Sequence, residues 1–310
     1  MTYLATHKTR CLAAALFAFL AMTSKALAQN PAPAAPTPPK TPAQSPPATW
    51  PKDASGLTAL ATQLTETWYA KVAAQDTDGA QQLMQQGFQN LNFQGALDCA
   101  GTLATIKTNK TTAAIVSGVI ATREGEVLVV TCLVSAKETL GELTLPTAAA
   151  ARLSIWSWVD GAFRMAAMGS MNMPATRPAP GKPSFAGDDT KNLSGLELIT
   201  TFVSDQTNKS HEKYDASLSV GMQSINFKGQ KGRDDLMKGA RHSKSTAPAV
   251  FTDVRATTCG TLTIVSCTMT LGMSIGFAKL PADPAPFLVV FQGNGASAQV
   301  IASVNQNQPK

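Results

Sequence analysis

The sequence has little charge, few histidines and no long apolar run. Charged residues make up 15% of the 310 residues, whereas about 25% is typical of soluble domains. Three histidines are too few for a histidine-rich metal site or for a histidine-based catalytic site repeated along the chain. No uninterrupted apolar run reaches the ~18–20 residues of a membrane-spanning helix. The hydrophobic share of 44% still supplies a core, so wholesale disorder is excluded.

Motifs for common enzymatic chemistry are also scarce. The sequence holds no phosphate-binding loop, and neither His211 nor His242 stands at a metal-ligand spacing. We therefore expect no metal and no cofactor. Three side chains remain as candidate catalytic groups: Asp98, which begins a predicted helix, and the pair His211 and Asp215, which stand at i and i+4. Helix capping by Asp98 and a surface ion pair between the other two are the ordinary alternatives.

Residues 1–28 have the pattern of a secretory signal peptide. Lys8 and Arg10 precede an apolar stretch from Leu12 to Met22, and Ala26-Leu27-Ala28 is a small-x-small cleavage site. The stretch is short for a membrane span, so we expect no transmembrane segment after cleavage. The pattern predicts an exported protein, periplasmic in a Gram-negative type of cell. Cleavage removes three basic residues and no acid, which lowers the formal net charge from +6 to +3. We therefore expect no nucleic-acid partner.

Two linkers separate two similar halves of the chain. A Pro/Ala-rich linker covers residues 29–51 and a Pro/Gly linker covers residues 174–192, which leaves predicted domains at 52–173 and 193–306. Four short motifs recur in the same order, 133 to 139 residues apart. They are Ser55–Leu57 with Ser194–Leu196, Gln89–Gly95 with Gln223–Gly229, Leu128–Cys132 with Thr263–Cys267, and Ser170–Asn172 with Ser303–Asn305. The order and spacing predict a tandem duplication.

Each half shows the same order of elements. An amphipathic helix opens the first half, with Ser55 as its predicted N-cap. A second helix is predicted to run to about Gln86, and a short strand, a connecting helix and four further strands follow. Asp160-Gly161 between two alternating runs is a strong hairpin signal. Two helices followed by a strand, a helix and an antiparallel meander predict an α+β fold.

This order resembles the nuclear transport factor 2-like superfamily, the cystatin-like α+β cone, and within it the SnoaL-like domains. Residues 151–168 are similar to the closing hairpin of that family, and Trp68-Tyr69-Ala70 followed by Asp76 is similar to its first helix and turn. The resemblance covers residues 55–172 and extends to 194–305. It implies two tandem cone-shaped domains, each with N-terminal helices packed on a curved antiparallel sheet. Members bind small apolar molecules, act as hydrolases, isomerases or cyclases, or serve in assembly without chemistry.

The scarcity of catalytic groups favours a non-catalytic exported protein. We predict that its cone-like domains bind a small apolar molecule or a protein partner. Candidate ligand-binding residues are Trp68, Tyr69, Trp156 and Trp158. The last two alternate on one strand and share a face, either of the pocket or of the interface between domains, unless they belong to the core. A hydrolase or isomerase of the same fold, with Asp98 or His211 and Asp215 as base, and a structural envelope protein are the alternatives.

The cysteines offer a test of how the two halves meet. Domains that resemble this superfamily associate through their sheets, which implies an intramolecular pseudo-dimer in this chain. Cys132 and Cys267 occupy equivalent repeat positions, and residues near a twofold axis meet their own counterparts. A Cys132–Cys267 disulfide is therefore the hypothesis, and buried free thiols at these positions and at Cys99 and Cys259 are the alternative.

Overall fold

The computed structural model describes residues 50–185, 187–208, 210–275 and 277–309. The predicted signal peptide and residues 29–49 of the first linker lie outside these ranges. None of the helices in the described ranges is long and apolar enough to cross a membrane.

The first domain contains three helices and nine strands. In chain order they are α1 (Ala54–Ala73), α2 (Thr77–Gln82), β1 (Met84–Asn92), β2 (Gly95–Leu97), α3 (Cys99–Thr108), β3 (Lys110–Thr111), β4 (Ile115–Glu124), β5 (Val127–Ser135), β6 (Glu138–Leu140), β7 (Leu143–Thr144), β8 (Ala150–Val159) and β9 (Ala162–Ser170).

The second domain repeats that order element by element. Its elements are α4 (Asp189–Thr207), α5 (His211–Ser217), β10 (Leu218–Asn226), β11 (Gly229–Gly232), α6 (Arg233–Arg241), β12 (Ser243–Ser245), β13 (Val250–Cys259), β14 (Leu262–Thr270), β15 (Met273–Ile275), β16 (Ala278–Leu280), β17 (Ala285–Gln292), a 3-10 turn (Gly295–Ser297) and β18 (Gln299–Asn305).

Strand order confirms the predicted α+β fold in two tandem copies. The main sheets run β2-β1-β9-β8-β5-β4 and β11-β10-β18-β17-β14-β13. Small sheets, β3-β6-β7 and β12-β15-β16, repeat as well. Each main sheet is antiparallel, as predicted, except at one place, where β1 pairs parallel with β9 and β10 pairs parallel with β18. Both main sheets carry β-bulges at equivalent positions, and bulges bend strands.

Local signals in the sequence account for most turns and caps. Asp160 and Gly161 both have positive φ, 51° and 80°, as the predicted tight hairpin between β8 and β9 requires. The N-cap of α1 is Asp53 and not Ser55, because the Asp53 carboxylate accepts the Gly56 N–H at 2.7 Å. The second helix stops at Gln82, short of its predicted end, since Met84 already pairs with Met165 in the sheet.

Two of the four recurring motifs are offset. Buried Ala61 and Tyr69 of α1 recur as Gly195 and Val203 of α4, 134 residues on, so Ser55–Leu57 does not correspond to Ser194–Leu196. The sheet pairs Leu91 with Gly169 and Ile225 with Val304. Leu91 and Ile225 are equivalent in the repeat, so Gly169 corresponds to Val304. The segment 170–172 therefore corresponds to 305–307, and not to 303–305 as the sequence match predicts.

Three large apolar cores, with a small cluster around Phe93, Leu145 and Met173, hold the described part of the chain together. One lies between the helices and the sheet of the first domain and contains Ala61, Trp68, Phe88 and Trp156. The second lies in the same place in the second domain. The third contains residues of both main sheets, such as Val129 and Ile264. The two sheets thus pack face to face within one chain, as the predicted pseudo-dimer requires.

Reciprocal hydrogen bonds give this interface its pseudo-twofold symmetry. The Gln89 amide donates to the Ile264 carbonyl at 3.0 Å and to the Thr257 hydroxyl at 2.9 Å. The equivalent Gln223 donates to the Val129 carbonyl and the Thr122 hydroxyl, both at 2.9 Å. The same contacts made in both directions mark an isologous interface.

The hypothesis of a Cys132–Cys267 disulfide is wrong in this structure. Cys99, Cys132, Cys259 and Cys267 are all free thiols. Side chains alternate along β5, so Val129 and Thr131 face the other sheet while Val130 and Cys132 face the helices. Cys132 and Cys267 are therefore buried in separate domain cores. The equivalent residues that meet near the axis are Gly169 and Val304.

Candidate functional site

A cluster of polar side chains is buried inside the first domain. Arg152 on β8 is 3% exposed. Its Nε donates to the Tyr69 hydroxyl on α1 and its Nη2 to Glu138 Oε1 on β6, both at 3.0 Å. The Asn172 amide donates to Glu138 Oε2 at 2.9 Å. A buried guanidinium requires such a matched partner, since its charge is costly to desolvate.

The protonation of this cluster follows from its burial. Burial raises the pKa of the Tyr69 phenol above its ordinary range, so the hydroxyl keeps its proton near neutral pH. Burial works against the charge of Arg152, but Tyr69 and Glu138 outweigh it and hold the pKa of the guanidinium above its usual value. Because the Tyr69 oxygen accepts from Arg152, its own O–H hydrogen remains available for donation.

Two polar atoms beside this cluster have no hydrogen-bond partner among the described residues. They are Arg152 Nη1 and Thr102 Oγ1, and Thr102 is 2% exposed. Both residues line a cavity of about 100 Å³, which Trp68 and Tyr69 also line. Unsatisfied buried donors cost free energy and require an explanation. This cavity is the candidate site.

The second domain has no such cluster at the equivalent positions. Val203 stands in place of Tyr69, Leu236 in place of Thr102, Met273 in place of Glu138 and Phe287 in place of Arg152. The corresponding cavity, about 70 Å³, combines apolar side chains with polar ones such as Ser224, Asn226 and Asn307, and no charged residue of the described ranges lines it.

A much larger groove opens on the second domain. Its volume is about 990 Å³, and it runs between α4, α5 and the start of β18, over Leu198, Phe202 and Phe291. Its rim carries charges of both signs, which include Lys191, Glu197, Asp205 and Lys213.

The equivalent surface of the first domain is covered by the chain itself. The Trp50 ring meets Phe163 edge-on at 5.1 Å, its N–H donates to Glu126 at 2.6 Å, and Arg123 lies 4.4 Å from its centre. Trp158 stacks edge-on against Phe163 at 4.9 Å. The Trp50 side chain, just before α1, thus covers this surface.

Two differences leave the second-domain groove open. Gly293, Ala298 and Thr263 stand where the first domain has Trp158, Phe163 and Leu128. The segment before α4 is also held elsewhere. It hydrogen-bonds to the first domain through the Gly181 N–H to the Gln94 carbonyl, 2.8 Å, and the Ser184 N–H to the Ala96 carbonyl, 3.3 Å.

The predicted catalytic groups do not assemble into a site. Asp98 is the N-cap of α3 and accepts the Gly101 N–H at 2.8 Å. Asp215 forms an ion pair with Arg233 at 2.6 Å and not with His211. His211 Nδ1 is buried without a partner in the described part of the chain.

Of the four predicted ligand-binding residues, Trp68 and Tyr69 line the candidate cavity. Trp156 is fully buried in the first-domain core, where its N–H donates to Ser154 at 2.9 Å. Trp158 belongs to the aromatic cluster around Trp50. Arg152, Thr102 and Glu138 were not predicted. The available signal was the charged Arg152 at an inward position of a strand, where the repeat has Phe287.

A nucleophile motif in the sequence is not formed in the structure. Residues 272–276 read Gly-Met-Ser-Ile-Gly, which matches the G-x-S-x-G pattern. The motif requires a sharp turn between a strand and a helix. Ser274 instead lies within β15 and pairs with Lys244 and Lys279 of the neighbouring strands. Within the described ranges, no three His, Cys, Asp or Glu side chains gather as a metal site.

No protein-family model and no curated protein matches this chain. Several solved structures do match parts of this chain. An NTF2-like protein from Cytophaga hutchinsonii is 14% identical with a TM-score of 0.34, over 36% of this chain and 94% of that one. An NTF2-like protein of unknown function in nutrient uptake from Rhodospirillum rubrum is 15% identical with a TM-score of 0.32, over 35% and 94%. A candidate scytalone dehydratase from Novosphingobium aromaticivorans is 12% identical with a TM-score of 0.32, over 41% and 92%.

The chain is similar to NTF2-like proteins. Each of these matches covers a stretch about as long as one domain. The resemblance predicted from the sequence is thus found among solved structures. Matches at this level of identity and TM-score assign no activity and no ligand to this chain.

Proposed function

We propose that this chain is a non-catalytic binding protein and that the cavity of the first domain is its small-molecule site. The observation that carries the proposal is the pair of buried donors without partners, Arg152 Nη1 and Thr102 Oγ1, on one cavity. Glu138 is committed to structure, since both of its oxygens accept hydrogen bonds, and Tyr69 accepts from Arg152 and keeps its own hydrogen for donation. The arrangement supports binding of a small polar molecule in place of the apolar one predicted from the sequence.

The test is a fragment panel of small acids, amides, alcohols and amines, applied to the protein by ligand-observed NMR. We expect hits that weaken in Thr102→Val and persist in the control Thr65→Val. Thr65 is also a buried helix threonine, but its hydroxyl is bonded to the Ala61 carbonyl at 2.8 Å and it does not line the cavity. A panel without hits, or hits indifferent to Thr102→Val, would remove the proposal.

A second candidate function is recognition of a protein partner through the groove of the second domain. It is favoured by the first domain, where the Trp50 side chain covers the equivalent surface. We expect a peptide with the sequence of residues 45–54 to bind, and Ala298→Phe, which restores the first-domain side chain, to abolish binding. The control is Val220→Phe, an exposed strand position outside the groove. If the peptide binds equally well to the unaltered protein and to both variants, or binds to none of them, this function is excluded.

Export remains part of the proposal. It is supported by the signal-peptide pattern of residues 1–28. Expression of the full chain in a Gram-negative host, followed by N-terminal sequencing of the periplasmic fraction, should yield a product that begins at Gln29. An uncleaved product retained with the membrane would contradict export as a released protein.

A further inference from the structure

The donors around the first-domain cavity carry information about the chemistry of the ligand. Arg152 has five N–H groups. Its Nε hydrogen is donated to Tyr69 and one Nη2 hydrogen to Glu138, while Nη1, with two hydrogens, has no partner among the described residues. Thr102 Oγ1 adds one hydrogen, and the Tyr69 hydroxyl adds another. These groups come from β8, α3 and α1, and all three residues line the same cavity.

We infer that the ligand is a short-chain aliphatic carboxylate, a conclusion that rests on the proposed binding function. Residues that line the cavity carry these four donor hydrogens, and an ionised carboxylate offers about four acceptor sites, whereas a carbonyl offers two. A carboxylate also gains charge-assisted bonds to a guanidinium. An ammonium group is disfavoured at the Nη1 edge of Arg152, because two cationic donors would face each other there.

Charge around the cavity permits an anion there. Among the described residues that line it, Arg152 is the cation and Glu138 the acid. Glu138 sits at Nη2, so the Nη1 edge of the guanidinium is left for a second carboxylate. Arg152 would then lie between two carboxylates, a geometry that its planar fork suits and that a lysine could not reproduce.

Size and lining restrict the rest of the ligand. The cavity of about 100 Å³ holds about three waters at ~30 Å³ each, and ~150 Å³ is enough for benzene. A molecule of about four to six heavy atoms therefore fits. The apolar part of the lining, around the polar groups, consists of Trp68, Ile106, Leu145 and Met168. A carboxylate with a short alkyl tail matches both parts of the lining.

The experiment compares acetate, propionate and butyrate with the corresponding amides, by thermal shift and isothermal titration calorimetry on the protein at constant ionic strength. Chloride and phosphate serve as anion controls. We expect the carboxylates to raise the Tm and the amides and control anions to leave it unchanged. Thr102→Val should weaken carboxylate binding about tenfold, the effect of one hydrogen bond to a charged acceptor, and Arg152→Lys should weaken it further. Thr65→Val should bind as the unaltered protein does.

The outcomes separate the ligand class from the function. Amides or phosphate that bind as well as carboxylates would overturn the carboxylate and leave a binding protein with another ligand. Carboxylate binding that survives in Thr102→Val would place the site elsewhere and overturn the inference. If nothing in the wider fragment panel binds, the proposed function itself fails.

Discussion

At the scale of single residues, two side chains separate the requirements of folding from those of binding. Thr102 Oγ1 is buried without a partner, while Glu138 accepts bonds from both Arg152 and Asn172. The unpaired Thr102 hydroxyl lowers the stability of the folded protein, whereas the Glu138 carboxylate offsets the desolvation of Arg152 and so raises it. Substitutions at the two positions should therefore change stability in opposite directions.

Thr102→Val should preserve or raise the stability of the ligand-free protein. The hydroxyl makes no hydrogen bond in the described structure, and a buried unsatisfied group costs about 1–3 kcal/mol. We expect the free energy of unfolding in urea to stay equal or to rise by about 1 kcal/mol. A loss of more than about 1 kcal/mol would mean that the hydroxyl is satisfied by bound water and would count against the candidate site.

Glu138→Gln should strongly destabilise the first domain. Its side chain is 17% exposed and that of Arg152 is 4% exposed, so the substitution leaves a buried guanidinium without its counter-charge. Removal of one partner of a buried pair costs about 3–5 kcal/mol. The control, Glu126→Gln, affects a pair whose carboxylate is 68% exposed and should cost less than about 1 kcal/mol. Equal effects in urea unfolding would show that burial does not govern the Arg152 pair.

At the scale of elements, the two copies differ most where the chain enters each domain. In the first, the segment before α1 lays Trp50 against β8 and β9. In the second, the segment before α4 runs against β2 of the first domain and the turn that precedes it. One copy is thereby closed and the other is open, although their helices and strands correspond one to one.

Trp50→Ala should open a groove on the first domain. The substitution removes an aromatic pair, a cation–π contact and a hydrogen bond, and we expect a loss of about 2 kcal/mol in the free energy of unfolding. Trp50→Phe keeps a ring over Phe163 and should recover most of the lost free energy of unfolding. The groove should be detectable as increased binding of an apolar fluorescent dye. No loss of stability would show that the segment rests loosely on the domain.

At the scale of the whole molecule, the two domains form one unit through their sheets. The interface core is apolar and is flanked by the reciprocal Gln89 and Gln223 contacts. Near its axis, Gly169 lies directly against Val304. A side chain at residue 169 would enter the space that Val304 occupies.

Gly169→Ala should weaken the association of the domains. An added Cβ would lie 2.4 Å from Val304 Cγ2, and overpacking costs about 1–3 kcal/mol. Val304→Ala in the same chain should restore part of that loss. Gly239→Ala is the matched control, because it lies in α6 with nothing within 4 Å of its added Cβ. If the variant and the control unfold at the same urea concentration, the packing at the axis is looser than described.

The sequence by itself determined the repeat, the α+β order of elements and the hairpin at Asp160-Gly161. These features depend on periodicity and local turn chemistry, which neighbouring residues carry. The prediction that Cys132 and Cys267 are equivalent in the repeat was also correct, but the prediction that they meet near the axis was wrong. Only the tertiary structure showed which face of β5 points to the partner sheet and that Gly169 and Val304 lie near the axis.

The candidate site was decided by the tertiary structure as well. Arg152 and Tyr69 stand 83 residues apart, and no local pattern relates them. They meet because the register of β8 turns Arg152 inward, toward a helix that packs on the same face of the sheet. The physical reason is general: burial and pairing of charges depend on contacts distant in the chain, whereas helices, strands and turns are largely specified by adjacent residues.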